Sequence, residues 1–306
     1  MHVSEERRAR IKAKFLGTLY ADCSREYLES PEGINDVEDH VHRRHELCAN
    51  YVVPWVERHF PLKESTVIEL GCGTGTSTAA LAAAAKKLVA YDIHASSLEF
   101  ARDRLEILGL LNARFILVEP QDMSRVMELD HSCGADVLLF YAALEHMTLS
   151  ERLEQLRLGW ECLRPGGIMV ICDTPNRLFP YDSHTSLLPF FNMLPDELAL
   201  LYFSASPRKT FRDSITEAIG VSQEAALSKL RRLGRGVSYH EFQLAIGAEF
   251  SRFILADGYE KEMLAIRAIS MEEKTLLRTL RKYGPGVSRA FSRSFLNFIL
   301  RKPESA

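Results

Sequence analysis

The chain has 306 residues, a formal net charge of −3 and a pI near 6.4. This length can bury a full hydrophobic core, so one domain with an elaboration is expected rather than two independent domains. A slightly acidic chain lacks the dominant basic face of broad nucleic-acid binders, so we predict no nucleic-acid partner.

The N-terminal segment is charged (SEERRARIKAK) with no apolar stretch behind it, so no signal peptide is predicted. No apolar run is long enough to span a bilayer. The six cysteines show no Cys-x-x-Cys pair and no metal-ligand spacing, and reduced thiols fit this pattern better than disulfides. We therefore expect a cytoplasmic protein without a membrane span.

Two helical patterns come first in the chain. Residues 3–22 and 36–60 place apolar side chains at helical spacing among charges, and Pro61 ends the second pattern.

Strands and helices then alternate. The predicted strands are 66–71, 88–92, 113–119, 135–141 and 167–173. The predicted helices between them are 76–86, 95–108, a short one from about 123, and 149–162. Alternation of this kind, with nearly continuous apolar strands, predicts a parallel sheet covered on both faces.

The turn after the first strand carries the most specific pattern. Residues 67–75 read VIELGCGTG, and Gly71, Gly73 and Gly75 allow a tight turn that passes close to a ligand. Acidic residues flank it, Glu69 before the first glycine and Asp92 at the end of the next strand. A plain strand-to-helix turn is the alternative interpretation.

The motif Glu-x-Gly-x-Gly-x-Gly differs from the Gly-x-Gly-x-x-Gly motif of dinucleotide-binding turns. It resembles the first motif of the class I S-adenosylmethionine (SAM) methyltransferases. The resemblance continues in the family's order through VAYDIHASSLEFAR, FILVEPQDM, ADVLLFYAALEHM and LRPGGIMVICDTPN, and covers about residues 45–176. The LEHM block resembles the branch that methylates quinones and other small molecules, of the methyltransferase type 11/12 kind.

The resemblance implies an α/β fold with a Rossmann-like, doubly wound, seven-stranded sheet, mostly parallel with an antiparallel edge strand. Residues 61–176 would form the SAM-binding core and residues 1–60 an N-terminal helical lid. Residues 177–257, proline-punctuated and then helical, would be a substrate-binding insertion. Residues 258–306 would complete the sheet, with strands at 259–268 and 294–301.

SAM is the cofactor that the resemblance implies. The three glycines would let the backbone approach its methionyl and ribose parts, and Glu69 would favour its ammonium group, directly or through water. Asp92 would accept both ribose hydroxyls, or would instead cap the helix that follows. The other residues expected at the cofactor are Ile93, Gln121, Asp122, Met123 and Tyr141, with either Gln121 or Asp122 meeting the adenine.

Methyl transfer from a sulfonium is an in-line displacement that depends mainly on alignment, and a base is needed only if the acceptor must lose a proton. Three histidines are candidates for that base. His146 serves as the base or in the cofactor loop. His184, with Asp182 to orient its ring, serves as the base or stabilises its loop. His240 serves as the base, or caps or packs its helix.

The predicted substrate-binding residues are Asp173, Asn176, Arg177, Tyr181 and Tyr239. Aromatic side chains of the insertion would line a closed pocket or form the insertion's own core: Phe179, Tyr181, Phe190, Phe191, Tyr202 and Phe203. His40, His42 and His45 lie on a helix that could cover the cofactor. His42 and His45 are close enough to share a metal, but a solvated helix face is the default, and we predict no metal site.

The leading hypothesis is a SAM-dependent methyltransferase acting on a small or medium-sized acceptor of natural-product or glycan type, preferably at oxygen, with nitrogen and carbon open. Three alternatives are a peptide or protein methyltransferase that docks its substrate on the insertion, a catalytically silent SAM-binding partner subunit, and a nicotinamide dehydrogenase. A homodimer is a candidate assembly.

Overall fold

A seven-stranded sheet organises the molecule. The computed structural model describes residues 3–119 and 134–304. The strands are β1 (Thr66–Leu70), β2 (Lys87–Asp92), β3 (Ala113–Leu117), β4 (Ala135–Tyr141), β5 (Leu163–Pro175), β6 (Ile254–Ala256) and β7 (Phe295–Arg301). Their order is β3-β2-β1-β4-β5-β7-β6. Neighbours among β1–β5 pair in parallel, whereas β7 is antiparallel to both β5 and β6. The predicted fold class is confirmed.

The sheet is buried on both faces, which explains why its strands are continuously apolar. Successive residues of a strand point to opposite faces, so Val67 and Ile68 enter two different core clusters. Helices α6 (Thr76–Ala82) and α7 (Ala95–Leu108) pack on one face, and α8 (Leu149–Cys162) packs on the other.

The N-terminal segment is helical, as the apolar spacing predicts, with different bounds. It begins with α1 (Glu5–Gly17) and α2 (Arg25–Glu29). A continuous helical run follows, made of α3 (Pro31–Glu38), a π-helical turn (Asp39–Arg43), α4 (Arg44–Leu47), a second π-helical turn (Cys48–Val52) and α5 (Val53–Glu57). Pro31 starts this run at a position where a missing N–H costs nothing.

Between β5 and β6 lies a helical segment with a core of its own. Its helices are α9 (Asp196–Tyr202), α10 (Lys209–Val221), α11 (Gln223–Leu233) and α12 (Tyr239–Ile246). Phe191, Phe211 and Leu230 belong to a hydrophobic cluster that is separate from the two sheet clusters. A buried ion pair between Arg152 and Glu241, 2.9 Å, joins α8 to α12.

The sixth strand is not where the sequence pattern placed it. Residues 259–268 were expected to be a strand, but α13 (Lys261–Ile266) occupies them, and the strand is the three-residue β6 just before. The reason is local. Glu260 accepts hydrogen bonds from the Asp257 and Gly258 amides, and Gly258 turns the chain at φ +78°. Helix α14 (Met271–Tyr283) then leads to β7.

Short 3₁₀ turns complete the structure: Leu144–His146, Phe191–Met193, Phe203–Ala205, Phe250–Phe253 and Arg289–Ser292. The first follows β4 and therefore lies at the carboxyl edge of the sheet. In the parts of the chain that the structure describes, no helix is both long and apolar enough to cross a membrane.

Candidate active site

The three glycines after β1 share one backbone requirement and differ in what surrounds them. All have positive φ: +77° at Gly71, +50° at Gly73 and +73° at Gly75. A Cβ on Gly71 would lie 2.7 Å from Ala143 Cβ, and one on Gly75 would lie 2.8 Å from Ala101 Cβ. A Cβ on Gly73 would meet nothing within 4 Å. Gly71 and Gly75 therefore make room for packing, and Gly73 leaves an open approach to the backbone.

A cavity of about 570 Å³ opens beside this loop, at the carboxyl ends of β1, β2 and β4. Its volume is in the range of pockets that hold small ligands, and this edge is where open parallel sheets bind them. The predicted cofactor residues on its wall are Gly71, Gly73, Asp92, Ile93 and Tyr141.

Asp92 ties the glycine loop to the end of β2. Its carboxylate accepts hydrogen bonds from the Gly73 amide at 2.7 Å and from the His94 amide at 2.9 Å. A carboxylate has about four acceptor sites, so two bonds leave capacity for a ligand. Asp92 thus fixes the loop and faces the cavity with the same group.

Glu69 lies beneath the loop rather than on the cavity wall. It is fully buried and accepts hydrogen bonds from the hydroxyls of Ser77 and Thr78, the latter at 2.6 Å. Burial raises the pKa of its carboxyl to about 7, against the opposing effect of these bonds. Ser77 does line the cavity, so its hydroxyl links Glu69 to that wall.

The adenine contacts expected at Gln121, Asp122 and Met123 lie outside the described residues.

The N-terminal helical run supplies part of the wall, through His40 and Arg44. Arg104 of α7 holds it in place: its buried guanidinium donates to the Thr74 carbonyl of the glycine loop at 2.8 Å and to the His40 carbonyl at 2.6 Å. Desolvation lowers the pKa of Arg104 to about 9. Arg44 was not predicted, although its four-residue spacing from His40 places both on one helix face.

His42 and His45 do not share a ligand. His42 Nε2 pairs with Glu46 at 2.6 Å, and His45 Nδ1 lies 3.2 Å from the Thr76 carbonyl oxygen. Both rings are buried, so the expectation of a solvated helix face is wrong for them. His45 packs the helix against the start of α6.

On the far side of β1 from Asp92, His146 reaches the cavity from the turn after β4. Its Nδ1 lies 2.8 Å from the Arg232 carbonyl oxygen. A carbonyl only accepts, so Nδ1 carries the proton and Nε2 is left as an acceptor. Burial lowers the pKa of His146, which keeps the ring neutral.

His184 lies against His146, with the two ring centres 5.5 Å apart. Its Nδ1 is 2.9 Å from the Thr185 hydroxyl, which in turn donates to the Gly234 carbonyl at 3.0 Å. Desolvation lowers the pKa of His184 to about 4. His184 Nε2 is therefore also an unprotonated acceptor.

Asp182 has a different role from the one expected. It accepts hydrogen bonds from the His184, Thr185 and Ser186 amides, at 3.2, 3.0 and 2.8 Å. It therefore fixes the loop backbone, and Thr185 orients the His184 ring.

Glu145, next to His146, was not predicted individually. It is completely buried, and its carboxylate oxygens have no hydrogen-bond partner among the described residues. Burial raises the pKa of this carboxyl to about 8. The sequence offers no sign of this, because burial of one residue in a short turn depends on the elements packed around it.

His240 is not brought to the cavity. Its ring is exposed and stacks on Tyr239, with centres 3.8 Å apart. Tyr239 also packs against Phe291 of the core.

The remaining predicted substrate residues do not line the cavity and have structural roles or lie at the surface. Asn176 is buried and donates to the carbonyls of Phe291 and Arg293. Asp173 is partly exposed at φ +52°, with Arg267 3.9 Å away. Arg177 bonds through its backbone to Val237, and Tyr181 is exposed.

The wall contributed by the insertion is basic rather than aromatic. Lys229, Arg232 and Leu233 at the end of α11 line the cavity, and Arg232 pairs with Glu151. The six aromatic residues expected there do not line it. Phe191 is buried in the insertion's core, whereas Phe190 and Tyr202 are exposed.

Comparison with known proteins supports the interpretation of the sheet and its loops. Residues 67–167 match the methyltransferase domain family. Together with the sheet order, this shows that the chain carries a class I SAM-dependent methyltransferase domain. S-adenosylmethionine is the cofactor that this family uses.

Two curated relatives share parts of the sequence. A cypemycin N-terminal methyltransferase of Streptomyces sp is 50% identical over 48 residues, 16% of this chain and 20% of that protein. An uncharacterized RNA methyltransferase of Gloeobacter violaceus is 31% identical over 118 residues, 33% of this chain and 26% of that protein. The matches therefore span well under two thirds of either relative.

Among solved structures, the plantazolicin methyltransferase BpumL in complex with SAH is 16% identical, with 98% of this chain and 99% of that chain covered and a TM-score of 0.46. A SAM-dependent methyltransferase from Clostridium acetobutylicum is 14% identical, with 50% and 61% covered and a TM-score of 0.40.

Proposed function

We propose that this protein is a SAM-dependent methyltransferase that methylates a small or medium-sized acceptor, of natural-product or glycan type, at oxygen. The observation that carries the proposal is the two-ended cavity. Gly73 and Asp92 line it near β2, His146 lines it after β4, and β1 lies between them. A nucleophile held at the His146 end would face a methyl group held from the other end, which is the alignment that the reaction needs.

At the cofactor end, each part of SAM has a chemical counterpart. The Asp92 carboxylate suits the ribose hydroxyls, and the Gly73 backbone leaves space for the ligand to approach. The Arg44 guanidinium, on the same wall, suits the carboxylate of the methionyl group. Residues 1–60 would then act as a lid that contributes Arg44, and residues 177–257 as the substrate-binding insertion that contributes Lys229 and Arg232.

At the acceptor end, His146 and His184 would serve as bases. Their Nδ1 atoms are engaged, so each Nε2 can accept the proton of a hydroxyl as the methyl group is transferred. Their lowered pKa values keep both rings unprotonated at neutral pH. Neither His184 nor His240 lines the cavity, but the His184 ring packs against His146, which does. No such ring contact joins His240 to His146 among the described residues, and His240 would have no part in this step.

A second candidate is methylation of a peptide at its amino terminus. The similarity to a protein named for N-terminal methylation supports it over a short segment. So does the buried Glu145 carboxyl, whose two oxygens have no hydrogen-bond partner among the described residues and could accept from an ammonium group. In this case the same histidines would remove the proton that an amine must lose before it attacks.

Titration calorimetry with S-adenosylhomocysteine (SAH) and with NAD tests the cofactor. We expect SAH to bind and NAD not to bind; binding of NAD alone would contradict the proposal. Mass spectrometry after incubation with SAM then tests the acceptor, with simple alcohols and phenols against a short peptide and its N-acetylated form. Transfer to the free peptide but not to the acetylated one would favour the second candidate.

The matched pair His184→Ala and His240→Ala tests the base. With any acceptor that is methylated, we expect His184→Ala to lower kcat by roughly 100-fold or more while SAH affinity is unchanged. His240→Ala should leave both quantities at wild-type level. Equal activity of the two variants would remove His184 from the reaction.

A further inference from the structure

Three side chains that can each ligate a metal ion converge beside the cavity: Glu145, His146 and His184. Glu145 Oε1 lies 3.9 Å from His146 Nε2 and 3.8 Å from His184 Nε2. The three ligand atoms all lie within 4.8 Å of one another. These separations are too long for direct hydrogen bonds, so the three groups do not satisfy each other.

In both imidazoles a hydrogen bond at Nδ1 leaves the Nε2 lone pair free to bind a metal ion. The Arg232 carbonyl oxygen fixes the Nδ1 proton of His146, and the Thr185 hydroxyl does the same for His184. The Thr185 hydroxyl is itself committed to a backbone carbonyl. Outer hydrogen bonds of this kind set the tautomer and orientation of histidines that bind metals.

The carboxylate supplies the second, independent observation. Glu145 has no exposed surface, and within residues 3–119 and 134–304 neither of its oxygens has a hydrogen-bond donor. A buried polar group without a partner destabilises the fold by about 1–3 kcal/mol, and more if it is charged. A bound cation would remove this cost.

The surroundings are rigid and contain charges of both signs. Asp182 fixes the loop of His184 through three backbone amides. Gly234 is required beside it, because a Cβ there would lie 2.9 Å from the His184 ring. Asp173 acts on Glu145 with negative charge, and Arg44 and Arg152 act on it with positive charge.

We propose that Glu145, His146 and His184 form a binding site for one divalent transition-metal ion, with Zn²⁺ as the best match. Two imidazoles and one carboxylate are a zinc ligand set that leaves a fourth position open. Ligand atoms at about 2.1 Å from a tetrahedral ion are about 3.4 Å apart. The two distances from Glu145, 3.8 and 3.9 Å, are close to this value, and all three ligand atoms, which lie within 4.8 Å of one another, would move closer together around the ion. The open position would face the cavity, because His146 lines it.

One consequence rests on the proposed function. An ion at this position would bind the acceptor's oxygen or nitrogen and lower its pKa. The two imidazoles would then be ligands, and the ion would replace them as the group that makes the acceptor nucleophilic.

The experiment is a titration of the chelator-treated full chain with ZnCl₂ alone, using a competing chromophoric chelator, followed by a Co²⁺ absorption spectrum. We expect one Zn²⁺ per chain. His184→Ala and Glu145→Gln should each weaken binding by more than the 10–100-fold typical of losing an outer hydrogen bond, and Thr185→Val by about 10-fold. His240→Ala is the matched control and should bind as wild type.

SAH affinity and circular dichroism of each variant show whether it is folded, and His184→Gln replaces any variant that is not. Wild-type binding no tighter than that of His184→Ala, or a Co²⁺ spectrum that the variants do not change, would overturn the metal site. SAH binding without Zn²⁺ binding would support the proposed function and contradict the metal site. Zn²⁺ binding without SAH binding would support the metal site and contradict the proposed function.

Discussion

The two ends of the cavity are built in different ways. At the cofactor end, one continuous stretch, from β1 through the glycine loop and α6 to β2, supplies both the loop and Asp92. At the acceptor end, His146, His184 and Arg232 come from three separate parts of the chain. The first end depends mainly on backbone conformation, and the second depends on how the insertion docks. Each of the following predictions tests this contrast.

The largest effect is expected where the insertion is attached. In Glu241→Gln, the buried Arg152 would lose its charged partner at 2.9 Å, and we expect unfolding to require about 4 kcal/mol less free energy. The control is Glu161→Gln, whose exposed partner Arg157 lies 3.1 Å away and which should cost at most about 1 kcal/mol. Urea denaturation measures both, and similar losses would show that the buried pair does not anchor the insertion.

The glycine loop offers a matched pair of alanine variants. Gly71→Ala should destabilise the fold by about 3 kcal/mol, because strained backbone and contact with Ala143 add together. Gly73→Ala should cost only about 1–2 kcal/mol of strain, since its Cβ meets open space. Its SAH affinity should nevertheless fall at least as far as that of Gly71→Ala. Equal stability of the two variants would contradict the division of roles within the loop.

Asp92→Asn tests the charge at the cofactor end while keeping the side chain's shape. Hydrogen bonds to a charged group contribute about 1.5–3 kcal/mol, so we expect SAH affinity to fall by roughly 10–100-fold. Calorimetry measures this directly, with Asp103→Asn on α7, away from the cavity, as the control. Unchanged affinity would mean that Asp92 only ties Gly73 to β2.

The smallest effect is a pH dependence from Glu69. Its pKa is about 7 in the folded chain against an ordinary value of 4.5. Between these values the folded state holds a proton that the unfolded state has released, so stability falls as pH rises through the window. We expect a loss of about 1 kcal/mol between pH 6 and pH 8.

Glu69→Gln should flatten this part of the stability profile, because its amide does not titrate. Urea denaturation at pH 6, 7 and 8 compares it with wild type, and with the exposed Glu106→Gln as a control. Parallel profiles for all three proteins would show that Glu69 keeps an ordinary affinity for protons when folded.

Most of the sheet and the cofactor end could be predicted from the sequence. The reason is that Gly71, Gly73 and Asp92 lie in one local stretch, where spacing alone determines which groups meet. The sixth strand could not be predicted, because three residues, Ile254–Ala256, are too short to show a period.

The acceptor end was predicted only in part. His146 and His184 were candidates, but nothing local distinguishes them from His240, which the structure places outside the cavity. Glu145 and Arg232 belong to the site only because the turn after β4 packs against α11. Contacts between segments this far apart in the chain follow from tertiary packing rather than from residue spacing.

The two π-helical turns in the N-terminal run have a consequence for how this protein tolerates changes in length. A π turn holds one more residue than the α turn it replaces, and one residue of an α-helix corresponds to a rotation of about 100°. Deleting one residue from Asp39–Arg43 would convert that turn to a regular α turn and leave the helical segments on its two sides facing as before. The same deletion in a regular helix such as α1 would rotate everything beyond it by about 100°. The two π turns are therefore the places in this segment where the loss of one residue does least damage.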